Sequence, residues 1–269
     1  MFWTDKLTER YLFTGRLVTE SGLHVGGGRD SLTTTDSAVM KYIDDRPFIP
    51  GSSMKGAFRG AVERLAVSLP GLRSCQLSKG IDDQCPTMNP PADEEEADDE
   101  KRLATLKKLC HTCMLFGAPK LAGKTRFSDL SVIPETWAGL TEVRDGVGID
   151  RDSERAMDRI KYDYEVVPSG TEFQFTLVIE NPDETRKEMS LIAVGLRELQ
   201  AGMIPIGGIR TRGLGRCKLE GLTIHHLSFG DSRKFKSYLK GHRLDSDEFK
   251  LSEDQAAALL DDAIERLFT

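Results

Sequence analysis

Apolar and polar residues alternate with a period near two along residues 10–20, where Leu12, Phe13 and Leu17 recur among polar neighbours, and this spacing predicts a strand. The clearest alternation lies at residues 171–181, with Phe173, Phe175, Leu177 and Ile179 on one face of a predicted strand. The run KTRFSDLSVI, residues 124–133, predicts another, and a last one follows the glycine-basic run GGIRTRGLGR. Helical spacing joins Met54, Phe58, Val62 and Leu65 in a helix that Ser52 or Ser53 can cap. Leu191, Val194 and Leu199 predict a second helix ending at Gly202, and EDQAAALLDDAIERLF near the end is amphipathic. The core order is strand, helix, strand, strand, helix, strand. That order fits an α+β, RRM-like (ferredoxin-like) fold built on the split βαβ unit.

Three stretches interrupt this order. After the first strand comes GLHVGGGRDSLTTTDSAVMKYIDDRPFIPGSS, a glycine-opened polar run with a short strand-like return, which has the form of a long functional loop. Regular patterning stops over residues 70–113, which predicts an insertion, and residues 140–168 are charged and weakly patterned, more like a projecting arm than core. The expectation is a single domain over residues 1–269 carrying an insertion and an arm.

Composition sharpens this picture in two respects. With 269 residues, 39% hydrophobic and 30% charged, the chain can bury a real core, which excludes disorder over its whole length. No apolar stretch approaches the ~20 residues of a membrane-spanning helix, and MFWTDKLTERYLF lacks the basic-then-apolar order of a signal peptide. A soluble, cytoplasmic protein with no membrane partner is expected. The net charge of −6 speaks at first against a polyanionic partner, but DEEEADDE, residues 93–100, carries seven acidic groups and no basic one. Self-repulsion favours a solvated loop there, and the rest of the chain is near neutral with local basic clusters, so nucleic acid stays open as a partner.

Three groups of residues carry chemistry. Cys75, Cys85, Cys110 and Cys113 have the spacing x9, x24, x2, and the final CxxC lets one turn present two thiolates to a tetrahedral ion. Structural zinc, holding an insertion without a core of its own, is the reading; four unrelated thiols is the competing one. The loop GGIRTRGLGR with Lys218 sets Arg210, Arg212, Arg216 and Lys218 among glycines with no acid between them, a pattern suited to phosphate, although a basic surface hairpin has the same composition. Lys55, Arg59 and Arg64 line the polar side of the first helix, either as anion contacts or as a solvated face. Asp36, in TTTDSAV, could act as a general base or bind a divalent ion, but loop aspartates, like nearby Asp30, Asp44 and Asp45, commonly form turns. His225 and His226 sit in a strand pattern that turns them to opposite faces, which disfavours a shared metal.

The ordered set SGLHVGGG, DSAV, IPGSSMKGAFR, the CxxCxLFG phrase at residues 110–117 and GGIRTRGLGR is similar to the RAMP superfamily over about residues 10–227, and within it resembles the repeating backbone subunits of type III CRISPR effector complexes. The resemblance implies an RRM-like palm, stacking of neighbouring backbone subunits and other effector subunits along a CRISPR guide RNA, and a thumb hairpin, matched by residues 142–163, that enters the guide–target duplex. It implies that Asp36 serves target-RNA cleavage with magnesium or another divalent ion through the neighbouring 2′-hydroxyl, with Asp129 of RFSD in support. His24, Ser53, Lys55 and Arg59, with Gly208, Arg210, Arg212, Gly213 and Arg216 of the glycine-rich loop, are implied to bind RNA. Where some relatives place a further acid in the thumb, this chain has Gly146 beside Asp145, and the cysteine-bearing insertion exceeds that of the simplest members. A non-catalytic backbone subunit is the alternative, and a stand-alone processing ribonuclease a more distant one.

Overall fold

The computed structural model of the chain describes residues 6–27, 36–75, 85, 104, 106–119 and 121–269. The acidic run at 93–100, Gly28 and Asp30 lie outside the described residues. Alternation produces the expected strands. In β1 (Glu9–Thr19) Phe13 and Leu17 are fully buried, and they share their face with Phe173, Phe175, Leu177 and Ile179 of the strand Glu172–Glu180, all fully buried.

In chain order the elements are β1, β2 (Phe48–Ile49), α1 (Gly51–Ala66), α2 (His111–Phe116), β3 (Thr125–Phe127), β4 (Leu130–Ser131), β5 (Glu142–Ile149), β6 (Ala156–Val166), β7 (Glu172–Glu180), α3 (Glu188–Gln200), β8 (Cys217–Ser228), α4 (Ser232–Leu239) and α5 (Glu253–Glu265). The main sheet is antiparallel with strand order β3-β7-β1-β8. Since α1 lies between β1 and β3 and α3 between β7 and β8, this is a mixed α+β architecture with the connectivity of the split βαβ.

Of the predicted stripes, Met54, Phe58 and Val62 of α1 and Leu191 and Leu199 of α3 are buried, joined by Ala61, Ala66, Ile192 and Leu196, while Leu65 and Val194 stay half-buried at the edge. The two helices meet at Gly195, where a Cβ would stand 2.2 Å from the Phe58 ring, so only glycine admits the ring. Gly202, just past α3, takes φ +72°, the left-handed stop its type predicts. α5 starts with a capping box of Ser252 and Gln255 and adds Leu260 and Ala263 to the core. α4 is absent from the expected order, although Phe235, Tyr238 and Leu239 stand at helical spacing; it is capped by Asp231, whose carboxylate accepts from the Arg233 and Lys234 amides. It covers one end of the opposite sheet face, where Arg10 Nη1 donates to Tyr238 Oη at 2.8 Å.

Two local expectations are corrected. The run at 124–133 is not one strand. It splits at Ser128 and Asp129, β3 pairing with β7 and β4 with β2, because Asp129 turns its carboxylate to the start of α1. There Asp129 Oδ1 accepts from Gly51 N–H at 2.7 Å, and no Ser52 or Ser53 side chain caps the helix, which begins directly after Pro50. A distant aspartate thus does the work expected of a local serine.

β5 and β6 form a separate two-stranded hairpin, paired from Glu142↔Val166 to Ile149↔Ala156, with Val143, Val147 and Ile149 exposed along β5. Among the described residues no helix is long and apolar enough to cross a membrane.

Candidate nucleic-acid interface and cysteine centre

The segment beginning at Asp36 is laid along the base of β6. Asp36 N–H donates to Asp163 Oδ1 at 2.7 Å, and Asp163 N–H donates to Asp36 Oδ2 at 3.1 Å. Ser37 pairs with Tyr164 in parallel sense, and Glu165 N–H donates to the Ser37 carbonyl at 2.9 Å. The Glu165 carboxylate then accepts from Val39 N–H and from Lys41 Nζ, both at 3.1 Å. Asp36 is exposed.

His24 lies beneath this seam, 6% exposed. Its Nδ1 is 2.7 Å from the Glu165 carbonyl, which can only accept, so Nδ1 carries the proton and Nε2 accepts from Ser37 Oγ at 3.2 Å. The ring expected to face RNA is instead seated inside, fastening the Asp36 segment to β6. Its carbonyl accepts from Gly208 N–H at 2.8 Å, which ties in the glycine-basic loop.

That loop needs its glycines for close approach. Gly207, at φ +81°, comes so near His24 that a Cβ would lie 2.2 Å from its carbonyl oxygen. Arg210–Arg212 form a 3₁₀ turn held between Ile209 and Gly213, both left-handed. Arg210, Arg212 and Arg216 are exposed; the Arg212 guanidinium stands 5.6 Å over the Tyr162 ring of β6, and Arg216 Nε pairs with Glu20 at 2.6 Å.

Three clefts lie side by side along this face. A cleft of about 370 Å³ gathers Ser53, Gly208 and Arg210 with Gly26. A second, about 490 Å³, shares Gly56 with it and is lined by Lys55 and Arg59. The third, about 720 Å³, shares Pro205 and Arg210 with the first and reaches Gly213 and Arg216. Burial, with the Arg59 charge added, holds the Lys55 ammonium below its ordinary pKa, so an anion arriving there gains a cation that water solvates poorly. Arg59 itself is occupied: Nε donates to Glu63 Oε1 at 2.6 Å and Nη1 to the Gly117 carbonyl at 3.0 Å. The sequence-predicted RNA residues therefore meet along one basic track, except His24 beneath it and Arg212, which reaches the hairpin. Asp129 stays at α1, its carboxylate bonded to Gly51 rather than to Asp36.

The four cysteines come together. Cys75, Cys85, Cys110 and Cys113 are buried, with all Sγ atoms within 4.8 Å of one another, and among the described residues they alone form a group of three or more side chains able to hold a metal ion. Cys110 caps α2, its Sγ accepting from the Cys113 and Cys75 amides at 3.4 Å, while Cys85 Sγ accepts from Cys110 N–H at 3.3 Å. Thiol hydrogen bonds from Cys113 and Cys85 hold Cys110 far below its ordinary pKa, and the same contact to Cys110 pushes Cys85 up to about 12. A tetrathiolate ion with bonds near 2.3 Å wants sulfurs about 3.8 Å apart, so the set fits. His111 turns away, its Nδ1 accepting from Arg73 N–H, as the four-cysteine reading requires. Arg59 Nη2 donates to Cys113 Sγ at 3.5 Å, linking the centre to α1.

Sequence reasoning missed Asp163 and Glu165. Their signal was the run YDYE at 162–165, in which a period of two puts both acids on one face of a strand.

Comparison with known proteins adds to this geometry. A family profile described as "RAMP superfamily" matches residues 16–218. A protein of Methanothermobacter thermautotrophicus named "CRISPR system Cms endoribonuclease Csm3" is 24% identical over 227 residues, covering 81% of this chain and 87% of that protein. A Streptococcus thermophilus protein of the same name is 24% identical over 222 residues, covering 78% of this chain and 87% of its own length.

Proposed function

The chain belongs to the RAMP superfamily, and from that premise we propose that it is a backbone subunit of a type III CRISPR effector complex, which holds guide RNA and cleaves complementary target RNA through Asp36. The observation that carries this is an exposed carboxylate pinned to the base of the β5–β6 hairpin, on a segment whose Val39 pairs with Gly26 at the edge of the cleft that holds Arg210. The relatives named as endoribonucleases support the activity. Ser53, Lys55, Gly208, Arg210, Gly213 and Arg216 hold the RNA by its phosphates and sugars, without base-specific readout. His24 and Arg59 act beneath that surface, Arg212 joins the loop to the hairpin, and Asp129 serves by anchoring α1. The thumb is the arm at 140–168, set on the single domain with its cysteine-bearing insertion at 70–113.

In the reaction the 2′-oxygen of the target attacks the adjacent phosphorus and the bond to the 5′-oxygen breaks. The products are a 2′,3′-cyclic phosphate and a 5′-hydroxyl; the 2′ proton leaves to a base and the leaving oxygen takes one up. In-line alignment of a distorted duplex supplies much of the rate. Asp36 takes the proton or holds a divalent ion such as magnesium, which when bound neutralises charge on the phosphate. Asp36 would hold such an ion by a single carboxylate, the sparse protein contact that magnesium commonly makes. Cys75, Cys85, Cys110 and Cys113 hold structural zinc.

The test is cleavage of guide-complementary RNA by the assembled complex carrying Asp36→Ala, with magnesium and with EDTA. The expected result is loss of every specific cut with RNA binding retained, and EDTA silencing the wild type. Persistence of all cuts in the variant would make the chain a scaffold and move the catalytic carboxylate to another subunit.

A further inference from the structure

We propose that Asp163 is the positioning residue for Asp36, setting where its carboxylate stands relative to the hairpin; this rests on the reading of Asp36 as the cleavage group. The two aspartates exchange bonds, each amide donating to the other's carboxylate, at 2.7 Å and 3.1 Å. The exchange closes a ring through both backbones, so neither the segment nor β6 slides along the other without breaking both bonds. It is the rung of the seam that engages the Asp36 carboxylate itself; the next bonds, Glu165 N–H to the Ser37 carbonyl and Val39 N–H to the Glu165 carboxylate, hold only the residues beyond Asp36. Asp145, opposite Asp163 in the hairpin register, pairs with Lys161 at 3.2 Å, while Asp163 engages the Asp36 amide.

This role needs an acceptor oxygen at position 163 and no charge. Asn keeps Oδ1 and Ala does not, whereas a metal-ligating carboxylate would lose its function in both. Asp163→Ala, Asp163→Asn and Asp36→Ala are therefore compared in the assembled complex. The measurements are single-turnover RNA cleavage, RNA affinity, the magnesium concentration giving half the rate, and amide hydrogen exchange over residues 36–41.

Asp163→Ala is expected to cut on the order of ten- to a hundredfold more slowly, with unchanged RNA affinity and magnesium requirement, and to exchange faster over residues 36–41. Asp163→Asn should lie within about threefold of wild type in rate, keep the slow exchange and leave the magnesium requirement alone. Wild-type cutting and exchange in Asp163→Ala overturn the proposal. So does an Asp163→Asn variant as slow as the alanine one with a raised magnesium requirement, which would make Asp163 a ligand. If Asp36→Ala cuts at full rate, the reading of Asp36 falls separately, and exchange decides on the anchor alone: faster in alanine and not asparagine upholds it, unchanged in both overturns it.

Discussion

Glu180 sits 6% exposed between two guanidinium groups. Arg126 donates twice, at 2.8 and 3.0 Å, and Arg10 Nε once at 2.8 Å. The Arg126 hydrogen bonds, with Arg10 behind them, hold the carboxyl below its ordinary value of 4.5. A depressed folded pKa means that the stabilisation is complete above the unfolded value and disappears as pH falls through the folded one. Glu180→Gln should therefore lose about 1–2 kcal/mol at neutral pH, modest because Arg126 is half exposed. In urea titrations that deficit should shrink as pH drops below about 4.5; a deficit constant with pH would exclude charge as its origin. The alternation around Arg10 and Glu180 marks both as facing away from the core, but no local pattern pairs residues 170 positions apart. His24 shows the same limit. The resemblance implied an RNA contact for it, whereas its burial depends on β6 and on Gly208, both far along the chain.

Among the elements, α2 has a chemical footing beside a hydrophobic one: Leu115 and Phe116 join the main core, while sulfur holds its start. It has six residues, too few for a helix to stand by itself, and Cys110 at its start and Cys113 within it belong to the four-sulfur cluster. Protein purified without chelator should contain about one zinc per chain, and Cys113→Ser should release it and lower the melting temperature. A fully folded wild-type protein free of zinc would refute the assignment. The CxxC pair was legible because its two ligands lie within one turn. The contribution of Arg59, which joins the cluster to α1, was not, because a basic residue on a helix face looks alike whether it meets RNA, water or a sulfur. β1, β7, α1 and α3 were legible for the opposite reason, since periods of two and 3.6 are local properties of the chain. The split of β3 from β4 was hidden because it depends on Asp129 finding Gly51.

At the scale of the molecule, the clefts sharing Gly56 and then Arg210 make one basic face on a chain whose net charge is −6. Replacing Lys55 and Arg210 together by alanine should weaken binding about equally for unrelated guide sequences, and should reduce the slope of log affinity against log salt by roughly 1–2. Loss confined to certain sequences would show base readout instead. The order of the core elements was readable in advance, yet the seam joining residues 36–41 to β6 spans 127 positions and could only be seen once folded. The hairpin's anchorage has a mechanical consequence. Val166 and Val167 are buried, and Val167 is doubly bonded to Leu23, so a load on the hairpin turns about this point as a lever about its fulcrum. At ~3.3 Å per residue the far end of β6 lies roughly 33 Å from the fulcrum and Asp163 roughly 10 Å. The gearing is about three to one, so a swing of roughly 3 Å at the tip arrives at Asp36 as about 1 Å, the length that separates a made hydrogen bond from a broken one.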